Sequence, residues 1–308
     1  MHAGNSCAEA RVNHELRQEL QGPGGPLGGR EVVDVVPISG GCIHQAWRVQ
    51  LCDGSNVFVK SGPPEAMALF EVEADALNAL HGYANAELLV VPQPLAVASL
   101  SHDAVLVLPW MELRGGDQAR LGQGLALLHQ SSAATGPGRY GWTRDGFIGA
   151  GPQPGGWRDA WGDAFVELRL LPQLKLLNGL GLEQPELTRL LSALAQRLNH
   201  LDVAPSLVHG DLWGGNAATL TDGRGSLFDP ASWWADREVD LAMTHLFGGF
   251  SQSFYRAYQK VLPSRPGASE RIEIYNLYHL LNHANLFGGG YVKQSLASLQ
   301  QLARLLIN

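Results

Sequence analysis

His209-Gly210-Asp211-Leu212-Trp213-Gly214-Gly215-Asn216, followed past the short apolar run Ser226-Leu227-Phe228 by Asp229-Pro230-Ala231, is the stretch whose reading decides the fold. Phosphoryl transfer on a protein-kinase-like scaffold uses three groups in a fixed chain order. A carboxylate accepts the hydroxyl proton, an Asn a few residues on holds Mg²⁺, and a second carboxylate after a strand holds the metal on the phosphates. Asp211, Asn216 and Asp229 stand in that order, so the spacing predicts Asp211 as catalytic base, Asn216 and Asp229 as metal ligands, and ATP with Mg²⁺ as cofactors. Gly210 replaces the Arg of the protein-kinase pattern, which helps to read a phosphorylated activation loop. Few residues separate Asp229 from the acidic cluster Asp236-Arg237-Glu238-Val239-Asp240. A long activation segment and a peptide groove do not fit there, and the expectation is a kinase of small groups.

Composition bounds the partners. The chain has 308 residues, 45% hydrophobic and 17% charged, enough to bury one or two cores and unlike a disordered chain. Net charge is −7, from 22 Lys+Arg and 29 Asp+Glu, and there is no basic block, which speaks against a nucleic-acid partner. Pro92, Pro94 and Pro109 interrupt the richest apolar runs, so no membrane span is expected. Met1–Leu20 lacks the apolar core of a signal peptide, which predicts a cytoplasmic protein. Cys7, Cys42 and Cys52 have no metal-ligand or disulfide spacing.

Working outward, Ala8–Leu20 reads as an amphipathic helix and Gly22–Gly29 as a flexible linker, so residues 1–30 are expected to be peripheral. Residues 31–108 read as a nucleotide-binding lobe. Its strands are Val32–Ile38, Ile43–Leu51 and the run ending Val57-Phe58-Val59-Lys60, with a hairpin at Asp53-Gly54. Val90–Val97 and Ala104–Leu108 complete the sheet. Ser39, Gly40 and Gly41 lie where such folds place the phosphate-covering loop. Lys60 ends its strand like the lysine that reaches the α/β-phosphates. The helix Glu65–His81 carries Glu71 and Glu73 as its candidate partners, and Glu73 is preferred because it shares a face with Leu77. Residues 109–113 read as a hinge, with Pro109, Trp110 and Met111 toward an adenine.

Residues 114–308 change to helical period. Leu121, Leu125 and Leu128 mark one helix, and Trp157–Leu177, Glu186–His200, Val239–Val261, Glu270–Leu286 and Ser295–Ile307 mark the rest. Gly- and Pro-rich Tyr140–Trp157 reads as a substrate-facing loop. The fold class is α+β, bilobal and protein-kinase-like, with a small antiparallel sheet and one helix before a larger helical lobe.

Five motifs are more specific than the kinase pattern: Ser39-Gly40-Gly41-Cys42-Ile43, the His209–Asn216 stretch, Asp236–Met243, Leu246-Phe247-Gly248-Gly249-Phe250 and Asn282–Tyr291. Together they resemble the fructosamine kinase (ketosamine 3-kinase) family from about Val32 to the C-terminus. The resemblance implies a fold related to aminoglycoside and choline kinases and ATP-dependent phosphorylation of the 3-hydroxyl of ketosamines. Such adducts sit on free amines or glycated protein lysines, and phosphorylation labilises them in protein deglycation. Bacterial and plant-type members generally favour ribulosamines or erythrulosamines. The chain departs from the family at His44, at Gly155-Gly156 and in having Trp233-Trp234 after the metal Asp.

Several residues carry two readings. Trp213 is a platform for a sugar face or a core residue. Trp234 and His283 are candidate substrate contacts, although His283 with Asn282 and Asn285 also reads as a satisfied core polar. His209 is expected to pack beneath the loop, and Asp240 to brace it. Cys42, near Lys60, is a possible redox site or an inert small residue. A strand of about 30 Å separates it from Cys52, so oxidation would need a small thiol or a Cys42-linked dimer of an otherwise monomeric chain. The alternatives in function are a phosphotransferase for another amino alcohol, such as an aminoglycoside or choline, and a degenerate kinase acting as a binding module.

Overall fold

A computed structural model describes residues 14–38, 44–177 and 184–307 of the chain, which divides into two compact units. One comprises residues 1–78 and 92–112, the other 79–91 and 113–308.

In the smaller unit, β1 (Val32–Ile38), β2 (Gln45–Leu51) and β3 (Asn56–Gly62) form an antiparallel meander. The β2–β3 turn closes as Asp53-Gly54 predicts: Gly54 takes φ +82°, and the Asp53 carboxylate accepts the Ser55 N–H at 2.8 Å. After a 3₁₀ turn at Pro64–Ala66 comes α2 (Met67–Tyr83), which buries Phe70, Leu77 and Leu80 completely; α1 spans residues 14–21. The predicted strand Val90–Val97 is two strands. β4 (Leu89–Val90) and β5 (Ala96–Ser99) are parted by Pro92 and Pro94, which have no N–H to give to a ladder. With β6 (Ala104–Pro109) the sheet order is β1-β2-β3-β6-β5, while β4 pairs in the larger unit.

From residue 14 onward the N-terminal segment is not peripheral. Leu16, Leu20 and Leu27 enter the same core as Val32, Trp47, Val49, Val57 and Val107. The chain from 22 to 29 is pinned by backbone turns, the Gln21 side chain accepts the Val32 N–H at 3.0 Å, and Glu19 accepts the Ser101 N–H at 2.6 Å. Glycine and proline here shape a strap around Leu27, and burial of the leucines outweighs the chain entropy that composition alone suggested.

The larger unit contains β7 (Leu113–Arg114), α3 (Ala119–Thr135), β8 (Tyr140–Trp142), β9 (Gly146–Ile148), β10 (Gly151–Gln153) and β11 (Gly156–Arg158). The stretch expected to be a loop is thus four short strands: a β9–β10 hairpin, with β8 and β11 beside it in another sheet. Then follow α4 (Trp161–Phe165), a π-helical turn (Val166–Leu170), α5 (Leu171–Leu176), α6 (Gln184–Asn199), β12 (Ser206–Val208), β13 (Ala217–Leu220), β14 (Gly225–Leu227) and β15 (Trp233–Ala235). The predicted helix Val239–Val261 is broken into α7 (Glu238–Phe247) and α8 (Gln252–Val261) at Gly248, whose φ of +72° ends the helical path. The last helices are α9 (Ala268–Phe287) and α10 (Gly290–Leu306). Two sheets, β11-β8-β15-β12 and β4-β14-β13-β7, present the turns that follow β12 and β14. Behind them Trp161, Phe165, Trp233 and Tyr275 pack with ring centroids 5.3–5.7 Å apart. Among the described residues no helix is long and apolar enough to cross a membrane.

Candidate active site

Between the buried strands β12 and β13 the chain makes the turn that carries the central motif. Gly210 holds φ +82°, and a Cβ there would stand 2.1 Å from the Ala231 carbonyl oxygen. No other residue fits. The missing kinase arginine therefore has a local, steric cause.

Asp240, fully buried in the first turn of α7, holds this turn from below. Its two oxygens accept the His209 and Gly210 N–H groups, each at 2.8 Å, and the His129 Nε2–H at 3.0 Å. Burial alone pushes such a carboxyl up, but the bonds from His129 and the backbone outweigh it and hold the group below its ordinary range. Asp240 braces the loop.

His209 lies under the loop, fully buried. The Phe228 carbonyl, 2.9 Å from Nε2, accepts only, while Nδ1 faces the Asp211 N–H at 3.2 Å. Nε2 is then the donor and Nδ1 the acceptor, which fixes the neutral tautomer. Burial pushes its pKa down, in agreement with that assignment.

Asn216 draws the motif together. Its Nδ2 donates to the Asp211 carbonyl at 2.9 Å, to Asp211 Oδ2 at 3.0 Å and to the Asp229 carbonyl at 3.4 Å. Burial pushes the Asp211 carboxyl up to about 7, with the negative charges of Asp229 and Asp240 adding to it and the Asn216 bond opposing. Asp229 is the one non-glycine with positive φ among the described residues, at +56°. Asp tolerates this region better than most residues, yet it persists only where its neighbours are held. Phe228 N–H donates to the Asn216 carbonyl at 3.1 Å, and Ala231 N–H to the His209 carbonyl at 2.9 Å.

The donor set suits a hard cation. All three Asn216 bonds use Nδ2, leaving its carbonyl oxygen outside them, and Asp229 brings a carboxylate. Among the described residues no cluster of three or more His, Cys, Asp or Glu exists to cage a metal. Mg²⁺ needs none, because it takes one or two protein oxygens and fills its octahedron with water and phosphate.

In the smaller unit Lys60 Nζ donates to Glu73 Oε1 at 2.7 Å, and both side chains are largely covered. Pro109 ends β6, and the division between the units falls after Glu112, whose carboxylate accepts the Trp110 Nε1–H at 2.6 Å. Met111 lies in the same segment. Ser39, Gly40, Gly41 and Cys42 lie outside the described residues, as does Cys7; Cys52 is a free, exposed thiol.

The aromatic candidates separate. Trp213 is 37% exposed, its indole folded over Gly215, so it is not a core residue. Trp234 is buried. It is 8% exposed in β15, against Gly136 and edge-on to Tyr83 at 5.8 Å, because both faces of this strand are covered. His283 is half-buried, its Nδ1 paired with the His279 carbonyl and its ring 4.5 Å from Phe247 and 5.0 Å from Tyr291.

The structure also assembles residues that spacing did not single out. Gln118 staples the turn between α7 and α8, donating to the Gly249 carbonyl at 3.0 Å and accepting the Ser251 N–H at 2.7 Å. That turn lies backbone to backbone on Gly214, since a Cβ on Gly249 would come within 2.6 Å of the Gly214 Cα. The repeated Gly-Gly pairs were the available signal. His129 gave none, because a lone histidine on an apolar helix has no pattern.

A buried carboxylate, an adjacent amide and a second carboxylate on this scaffold fit a protein-kinase-like phosphotransferase. The fructosamine kinase family model matches residues 27–305. A protein of Synechocystis sp. described as a probable ketoamine kinase is 43% identical over 272 residues, 87% of this chain and 90% of that protein. The chloroplastic protein-ribulosamine 3-kinase of Arabidopsis thaliana is 33% identical over 282 residues, 90% of this chain and 84% of that protein. A solved structure from Haemophilus somnus 129PT, described provisionally as a fructosamine-3-kinase, is similar at TM-score 0.80 and 26% identity, covering 95% of this chain and 97% of that one. The chain belongs to the fructosamine kinase family.

Proposed function

We propose that this kinase transfers the γ-phosphoryl group of ATP to the 3-hydroxyl of ketosamines, ribulosamine and erythrulosamine adducts before fructosamines, and acts in protein deglycation in the cytoplasm. The observation that carries the reading is the single Asn216 amide that ties Asp211 and Asp229 into one unit. Mg²⁺·ATP, when bound, supplies an electrophilic phosphoryl group whose charge the metal offsets. Asn216 and Asp229 would hold the metal through oxygen. Lys60, oriented by Glu73, would bring positive charge for the α/β-phosphates. Asp211 takes the proton as the acceptor oxygen forms its bond to phosphorus and the bridging oxygen leaves. A carboxyl raised to about 7 is matched to that task near neutral pH.

Acceptor recognition is assigned to exposed Trp213, whose indole offers a flat apolar face to a sugar. The names of relatives from Synechocystis and Arabidopsis agree with a ketosamine acceptor. An ATP-coupled assay across ribulosyl-, erythrulosyl- and fructosyl-lysine tests the reading, with aminoglycosides and choline as controls. Ketosamines are expected to be the substrates, and turnover confined to the controls would overturn it. Asp211→Asn is expected to lower kcat by about 10²–10⁴-fold, the worth of a positioned base.

A further inference from the structure

Asp229 is held from both sides. On the N-terminal side Phe228 is fixed through its N–H by the Asn216 carbonyl and through its C=O by His209 Nε2. On the C-terminal side Pro230 has no N–H to give, and Ala231 bonds through its N–H to the His209 carbonyl. The Ala231 carbonyl is a separate anchor. It accepts Gln153 Nε2–H at 2.9 Å, from the end of the β9–β10 hairpin. A left-handed non-glycine residue is strained and persists only where its surroundings over-determine it. Gln153 supplies the side-chain part of that constraint on the C-terminal flank.

Gln153 is itself fixed in place. It is 5% exposed, and because a carbonyl only accepts, Nε2 must face Ala231. Oε1 then accepts the Tyr278 O–H at 2.9 Å. Arg169, fully buried on the π-helical turn, lies with its guanidinium 6.0 Å from the centre of the Tyr278 ring and 3.8 Å from that of Trp233, and donates to the carbonyl of Pro154 at 2.9 Å. Its partners are carbonyls and aromatic faces. A cation held so is costly to bury, and π-helical turns are frequent at functional sites. Arg169 thus holds the residue after Gln153, the tyrosine that orients Gln153 and the strand that follows Ala231.

We infer that Gln153 is a positioning residue for the metal carboxylate: through the Ala231 carbonyl it keeps Asp229 in the backbone conformation that presents its side chain to Mg²⁺. The inference rests on the phosphotransferase reading of Asp229. It gives the β9–β10 hairpin a part in metal affinity that neither the kinase pattern nor the family's motifs assign.

The test is a Mg²⁺ titration of the thermal shift produced by a non-hydrolysable ATP analogue, run beside steady-state kinetics on the full chain. Gln153→Met keeps the volume and loses both bonds, Gln153→Glu keeps the acceptor for Tyr278 but removes the donor to Ala231, and Tyr278→Phe removes the group that orients the amide. The two Gln153 variants are expected to need about tenfold more Mg²⁺ for half-saturation, the size of one lost hydrogen bond. Their kcat should fall at limiting Mg²⁺, recover in part at high Mg²⁺, and leave the acceptor KM near that of the parent. Tyr278→Phe should move Mg²⁺ half-saturation the same way by less, and it decides the matter if the Gln153 variants do not fold. Half-saturation equal to that of the parent chain in the folded variants, whatever their melting temperature, would overturn the inference. No Mg²⁺-dependent shift in the parent chain itself would instead overturn the phosphotransferase reading beneath it.

Discussion

Gly210 and Asp229 show how two backbone positions set the site. Both have positive φ, and each abuts the segment of the other through Ala231. Gly210→Ala would require a left-handed alanine and drive its Cβ into the Ala231 carbonyl. Its cost is expected to exceed about 1–3 kcal/mol, the strain of the dihedral alone, as read by urea unfolding. Trp213 lies at the same scale but outside the packing. Replacing it with Ala is expected to raise the KM for a ketosamine about three- to tenfold, a stacking contact's worth, and to leave the KM for ATP unchanged. Equal rises in both would show that the indole shapes the loop and does not hold the sugar.

At the scale of elements, α7 sets the height of the catalytic turn, and its first-turn carboxylate is tied to other helices. Arg237 Nη1 donates to Tyr258 Oη at 3.2 Å, Tyr258 pairs with His129 Nδ1 at 2.8 Å, and His129 bonds Asp240. The chain of bonds runs from α8 through α3 to the N–H groups of His209 and Gly210. Asp240→Asn leaves one of these donors facing an amide N–H. A loss of about 1–3 kcal/mol is expected from the unsatisfied buried group, with kcat falling as the turn loosens. His129→Phe, which keeps the ring and removes the bond, should act in the same direction. Thermal unfolding and turnover measured together check both. Since the Asp240 carboxyl is held below its ordinary range, its contribution is present above the unfolded carboxylate pKa and is lost as pH falls through the lower folded value.

Across the whole molecule, stability depends on groups far from the chemistry. Leu20, fully buried under the smaller sheet, belongs to a segment whose composition suggested a loose tail. Leu20→Ala is expected to cost about 2–5 kcal/mol, a core effect that calorimetry would detect and that a peripheral helix would not show. Two buried histidines weaken the fold in acid. Burial lowers the pKa of His209 and takes that of His279 down to about 3. Below about pH 6.5 the unfolded chain binds protons that these rings refuse in the folded state, so their contribution to stability falls as pH falls, while the raised Asp211 carboxyl takes up its proton in the folded state first and acts in the opposite direction. For His279 the loss reaches about 2 kcal/mol at pH 5. Between pH 7 and pH 5 the melting temperature of His279→Gln should therefore fall less, or rise more, than that of the parent chain.

That Asp211, Asn216 and Asp229 come together was legible from their order and spacing, and the Lys60–Glu73 pair from the place of each on its strand and helix. The meander and the main helices followed from local pattern for the same reason: period and turn residues act over a few positions. Other features needed the third dimension. The docking of the N-terminal leucines, the break at Pro92 and Pro94 between two sheets, the burial of Trp234 and the bracket from Arg169 to Ala231 join residues far apart in the chain, with no period to announce them. Sequence alone determined which groups this chain offers for phosphoryl transfer in the proposed mechanism, because reactivity belongs to residue type and order. Tertiary packing decided which aromatic stays at the surface and what holds Asp229 in its left-handed conformation, because burial and backbone restraint are properties of neighbours.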